Sequence, residues 1–381
     1  MRRTLIFIVL LGACGRATPV VPPITAPAPI VAPALPRSAT PRPWAALDTG
    51  AMRAPIFFAT TRRAAASDRP GLRYSGEDAD SLQFAAVLVN IPSYKQRGSG
   101  ALPTPSAIRV NPFSYRPDPT KDVFVSSVIP VDSARFVQRV AADLATTRSR
   151  DLLVFVHGFN TSFEEAAVRA AQIVADLDFD GTTVVFSWPS AASITGYLQD
   201  QQAARNAGDA LLRLLRGHLP AARPDRLHLL GHSMGSEVIG KAMTLTTASD
   251  SLPRFEQVVF AAPDVDARVF RREILPRLTP RARRITLYAS DADEALVASR
   301  SVNNVWRLGL AGDSLVVLPG METIDASRIQ GDLLGHVLFG NQVFLGDLAA
   351  LLRDGRPPAE RRLLPVTRNG STWWRFRGDV R

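Results

Sequence analysis

The sequence predicts an α/β architecture: a mostly parallel sheet with helices on both faces, preceded by antiparallel strands. Three observations point there. Apolar runs such as 152–157 (LLVFVH) and 182–188 (TTVVFSW) show no polar alternation, as expected of strands buried on both faces. Stretches with helical spacing separate many of these runs. Reactive residue types fall directly after apolar runs, where the carboxyl edge of a parallel sheet gathers its chemistry. The composition agrees. With 381 residues, 46% hydrophobic and 21% charged, the chain is neither wholly disordered, collagen-like nor a multi-span membrane protein.

The elements follow in chain order. Arg2 and Arg3 precede an apolar run at 4–11 (TLIFIVLL) that is too short to span a bilayer. It ends in Leu11-Gly12-Ala13-Cys14, which resembles the bacterial lipobox, although Gly12 stands where Ala or Ser is more usual. That resemblance implies lipidation of Cys14 and an anchored rather than spanning protein at the cell envelope, at the periplasmic side of the outer membrane. An ordinary secretory signal with an incidental cysteine is the alternative. Nine of the 29 prolines lie between Pro19 and Pro43, so this stretch reads as an extended spacer. The expected organisation is therefore a signal over 1–13, a linker over 14–44 and a globular domain over 45–381.

Within that domain, 54–60, 83–91 and 122–129 read as strands, and 133–147 as a helix. A regular series follows. Strands are predicted at 152–157, 182–188, 226–231, 256–262, 284–289 and 314–318, with helices at 163–178, 200–217 and 342–353. The single cysteine precludes an intramolecular disulfide and a multi-cysteine metal site. The net charge of +10 is spread from Arg2 to Arg381 with no aromatic-interleaved basic stripe, which argues against nucleic acid as a partner.

Strand 226–231 runs into Gly231-His232-Ser233-Met234-Gly235. A G-x-S-x-G after an apolar strand and before helix-compatible residues is the pattern of a sharp turn. The serine sits on a strained backbone with its hydroxyl presented, and Gly231 and Gly235 supply the small flanks the turn needs. A serine hydroxyl needs an adjacent base. Of the five histidines, His157, His218, His228, His232 and His336, only His336 follows Ser233. On this topology the order is serine, acid, histidine, which makes His336 the base. The orienting acid is expected at Asp293, with Asp291 and Asp264 as alternatives that spacing does not separate. Two backbone amides must meet the developing oxyanion, and Met234 and Phe159 are the candidates. His157, before Gly158, reads as a structural hydrogen-bonding residue. Tyr197 and Asp200 are placed to line a pocket mouth or, equally, to begin a solvated helix. This chemistry needs no metal and no cofactor.

Taken together, His157 to Asn160, Phe186-Ser187-Trp188-Pro189-Ser190, Gly231 to Gly235, Tyr288 to Leu296 and Gly335-His336 resemble the α/β-hydrolase superfamily. More narrowly, they resemble the uncharacterised bacterial DUF900 group. Phe58 to Arg62 is similar to that group's opening, with Thr61 where Asp is usual. The resemblance spans roughly 54–350 and implies the α/β-hydrolase fold. It implies Ser233, Asp293 and His336 as a triad, and it carries no substrate with it. The expected function is hydrolysis of a carboxylic ester, of a small molecule or a lipid, through an acyl-enzyme. A non-catalytic envelope module on the same fold is the competing reading, and it predicts a phenotype indifferent to Ser233.

Overall fold

Strands that are apolar on both sides build the middle of the sheet. The computed structural model describes residues 45–46, 52–92, 117–247, 250–291, 305–329 and 338–377. The strands are β1 (Ala45–Ala46), β2 (Met52–Ala64), β3 (Tyr74–Ile91), β4 (Phe124–Val131), β5 (Asp151–Val156) and β6 (Gly181–Ser187). They continue with β7 (Arg226–His232), β8 (Phe255–Ala261), β9 (Ala282–Ala289), β10 (Glu322–Asp325), β11 (Leu363–Arg368) and β12 (Ser371–Phe376). The described strands join one sheet in the order β11-β12-β10-β9-β8-β7-β5-β6-β2-β3-β4, with β1 beside β2. From β10 to β2 all neighbours run parallel. Antiparallel strands flank that block, with β3 and β4 on one side and β11 on the other. This is the α/β-hydrolase fold that the sequence predicts.

Helices cover both faces. On one lie α2 (Phe163–Leu177) and α6 (Gln342–Asp354); on the other lie α1 (Ser133–Leu144), α3 (Tyr197–Asn206), α4 (Gly208–Arg213) and α5 (Gly235–Thr244). β5 shows why its sequence lacks alternation: Leu153 and Phe155 pack into one core, Leu152, Val154 and Val156 into the other. α2 starts at a capping box between Ser162 and Glu165 and ends at Asp178 with a φ of 48°.

Two details depart from the expected pattern. Residues 314–318 pair with no described strand. The chain turns at Pro319-Gly320, where Gly320 has a φ of 83°, and the strand forms four residues later as β10. The Val316 carbonyl instead accepts the Thr323 hydroxyl at 2.8 Å, and Leu315, Val316 and Leu318 pack on the core without a ladder. The predicted helix at 200–217 begins earlier, at Tyr197, and divides at Ala207 into α3, α4 and a wider turn over Leu214–His218.

The chain leaves β5 for β6 on one side, then returns to place β7 on β5's other side, with Val156 opposite Gly231. Connections therefore diverge at the carboxyl ends of β5 and β7. That is the switch point at which open parallel sheets hold ligands.

Candidate active site

Left-handed backbone recurs at this edge. Asn160 follows β5 with a φ of 53°, Ala192 follows β6 at 53°, Ser233 follows β7 at 50° and Ala262 follows β8 at 45°. None is glycine, so each conformation is imposed by its surroundings. Ser233 is fixed by bonds on both sides. Its amide donates to the Ala261 carbonyl at 3.0 Å, and its carbonyl accepts the amides of Ser236 and Asp264 at 3.0 and 3.1 Å. Gly235 starts α5 where a Cβ would collide with the Val156 and His157 carbonyl oxygens. Gly158 is crowded too, though less tightly, because a Cβ there would lie 3.0 Å from the Ser233 Cβ. The β5 loop thus passes directly over the serine. Ser233 is 2% exposed, and its neighbour His232 packs edge-on against Phe339 at 5.3 Å.

The next residue on that loop is Phe159, whose ring meets Tyr197 at 5.5 Å. Neither the Phe159 amide nor the Met234 amide donates to an acceptor among the described residues.

Tyr197 and Asp200 leave α3 in different directions. The Tyr197 hydroxyl donates to Asp264 Oδ2 at 2.8 Å, so this side chain lies beside the serine bend. Asp200 does not cap a solvated helix and does not face an open mouth. It is fully buried and accepts from Ser190 Oγ at 2.5 Å, from the Ala191 amide at 2.7 Å and from the Asn160 amide at 3.3 Å. Its carboxylate ties the β5 loop to the β6 loop. The helix-start position suggested solvation, whereas donors from two other loops make burial tolerable.

Asp264 is 4% exposed and holds Tyr197 on one oxygen and Arg307 Nε, at 3.1 Å, on the other. Asp291 lies exposed just past β9, its amide donating to Ser327 Oγ at 3.0 Å. Asp293, His336 and Cys14 lie outside the described residues.

The other histidines have separate environments. His157 is 1% exposed and stacks on Trp188 at 5.1 Å with 13° between the planes. Its Nδ1 faces the Gly158 carbonyl at 2.9 Å and so carries the proton, leaving Nε2 to accept from Ser187 Oγ at 3.2 Å and Arg62 Nη2 at 3.4 Å. Burial, followed by the charge of Arg62, lowers His157 to about 3, so the imidazole is neutral at ordinary pH. The Ser187–His157 contact is therefore a packed hydrogen bond to a neutral imidazole in the core. His228 lies on β7 beside Asp151, which pairs with Arg226 at the amino edge, and His218 packs on Phe84 at 4.9 Å. Among the described residues no group of three or more His, Cys, Asp or Glu is placed to hold a metal ion.

Sequence reasoning missed Arg62 and Arg307. Both are buried, at 1% and 2% exposure. β2 and β3 slip register on either side of Arg62, and such a bulge re-aims a side chain. An arginine at the end of a predicted strand gives no sign of this by composition, and only the similarity of Phe58 to Arg62 to the DUF900 opening marked the place.

Residues 132–346, more than half of the 381-residue chain, match the family described as alpha/beta hydrolase of unknown function (DUF900). The chain belongs to that family. Among solved structures, this DUF900 member is similar to a cutinase from Trichoderma reesei in complex with a phosphonate inhibitor. The identity is 13%, over 58% of this chain and 88% of the cutinase, at a TM-score of 0.27. It is also similar to a peroxisomal alpha-beta-hydrolase from Saccharomyces cerevisiae, at 10% identity over 57% of this chain and 45% of that one, at a TM-score of 0.19. No curated protein matches it.

Proposed function

We propose that this DUF900 hydrolase is a serine esterase that cleaves a carboxylic ester through an acyl-enzyme. Ser233 attacks the carbonyl, His336 takes and returns the proton, Asp293 orients the imidazole, and the Phe159 and Met234 amides receive the oxyanion. The observation that carries this reading is the left-handed serine between β7 and α5, flanked by two amides that donate to no described acceptor.

Two further facts support the remaining roles. For the base, the chain order serine, acid, histidine leaves His336, the one histidine that follows Ser233 in the sequence. For the acid, both Asp264 oxygens are engaged by Tyr197 and Arg307, which favours the loop beyond β9. There Asp291 sits at the strand end and Asp293 two residues on. At the other end of the chain, a thioether-linked lipid on Cys14 would hold the enzyme at the cell envelope.

Labelling of the full chain with a fluorophosphonate tests the proposal. Wild type is expected to take one label that Ser233→Ala abolishes, with ester hydrolysis falling by about 10⁴-fold or more. Label that persists on folded Ser233→Ala would refute the assignment. The anchor is tested by Cys14→Ser, which is expected to move the protein out of the membrane fraction or halt its maturation.

A further inference from the structure

The chemistry proposed above uses the β5 loop, 158–161, whose internal tie is the Thr161 hydroxyl donating to the Phe159 carbonyl at 3.0 Å. Gly158 contributes no side chain, and Asn160 sits in a left-handed conformation. The loop's other fixings come from outside: Asp200 accepts the Asn160 amide, Ser190 Oγ accepts the Thr161 amide, and Arg62 alone reaches both ends of the loop, at the Thr161 carbonyl and the His157 ring. The guanidinium of Arg62 has five N–H donors, and all five face acceptors. Nε donates to Ser187 Oγ at 2.8 Å. Nη1 donates to the carbonyls of Ser75 at 3.1 Å and Ser190 at 3.0 Å. Nη2 donates to the Thr161 carbonyl at 2.6 Å and approaches His157 Nε2 at 3.4 Å. These acceptors belong to the start of β3, the end of β6 with its loop, and both sides of the segment that carries Phe159.

We propose that Arg62 is the positioning residue of the oxyanion hole, holding the Phe159 amide over Ser233 by clamping His157 on one side of it and Thr161 on the other. This rests on the serine-hydrolase reading of Ser233. Three aspects of the geometry support it. The register of β2 against β3 shifts on both sides of Arg62, an irregularity of the kind that re-aims a side chain, and Arg62 is buried. A planar fork meets five acceptors in fixed directions, which a lysine ammonium with three donors does not. A second brace then completes the loop: Ser190 Oγ accepts the Thr161 amide at 3.0 Å and donates to the Asp200 carboxylate. Arg62 touches no reacting atom in this scheme. It acts through the loop, and its loss should weaken binding of the transition state more than binding of the ester.

The test compares wild type with Arg62→Met, Arg62→Lys and Ser190→Ala, all as full chains, using a p-nitrophenyl ester, a fluorophosphonate and an arylboronic acid as transition-state analogue. Arg62→Met is expected to lower kcat and boronate affinity together, by about 100-fold, while KM changes by less than about threefold. Arg62→Lys should recover part of both. Ser190→Ala removes the second brace and should show the same split at about tenfold, and Arg62→Lys supplies the answer for Arg62 if Arg62→Met does not fold. Hydrogen exchange at the 158–161 amides should rise in step. The assignment is overturned if folded variants keep the wild-type boronate affinity, or if KM absorbs the whole loss. Wild type that takes no label at all would overturn the esterase reading and this inference with it, whereas labelled wild type with unaffected variants would overturn this inference alone.

Discussion

At the scale of single residues, the serine bend is held by steric exclusion as much as by bonds. Gly235 has no room for a Cβ against the Val156 and His157 carbonyls, so Gly235→Ala must push α5 off the sheet. A loss of about 3 kcal/mol in urea unfolding is expected, together with loss of label at Ser233. His157 gives the bend a pH dependence. Folded, it protonates only near pH 3; unfolded, it protonates near 6.5. Between those values the unfolded chain binds more protons. The contribution of His157 is therefore complete above about pH 6.5 and is lost as the pH falls toward 3, by on the order of 5 kcal/mol in total. Urea midpoints measured from pH 7 to pH 4 should fall, and His157→Asn should flatten the slope. Ser233, its flanking glycines and the structural character of His157 were legible in the sequence because a strand-to-helix turn has local requirements. Arg62 and Asp200 were not, since what makes them buried is a set of acceptors and donors up to 128 residues away.

At the scale of elements, a second buried network fastens α6 and the β11–β12 hairpin to the sheet. Tyr288 Oη donates to Asp347 Oδ2 at 2.5 Å, while Arg361 reaches Asp347 at 2.7 Å and Glu322 at 3.0 Å. Burial raises the Asp347 carboxyl to about 6 even beside Arg361. Arg361→Met removes the cation and raises it further. The folded state then binds a proton that the unfolded state releases, so the variant should lose more stability at pH 8 than at pH 5, about 3–5 kcal/mol at the higher value. Thermal melts at the two pH values check this, and adding Asp347→Asn should restore most of the loss. Periodicity identified the central strands because both faces of each are apolar. It misplaced the strand near 314–318, where the apolar run is real but Pro319-Gly320 ends it before it can pair. The β11–β12 hairpin mixes Thr and Arg with apolar residues (LLPVTR, STWWRF) and gave no clear strand pattern.

At the scale of the whole molecule, strand direction separates where the chain enters the fold from where it would react. β2 runs parallel to β6, so Met52, where β2 begins, lies at the amino edge, whereas Ser233, directly after β7, lies at the carboxyl edge. Chemistry at one rim and ion pairing at the other should be separable: Arg226→Met, which removes the partner of Asp151 at the amino edge, is expected to lower the urea midpoint while fluorophosphonate labelling of Ser233 stays within about twofold of wild type, as gel fluorescence would show.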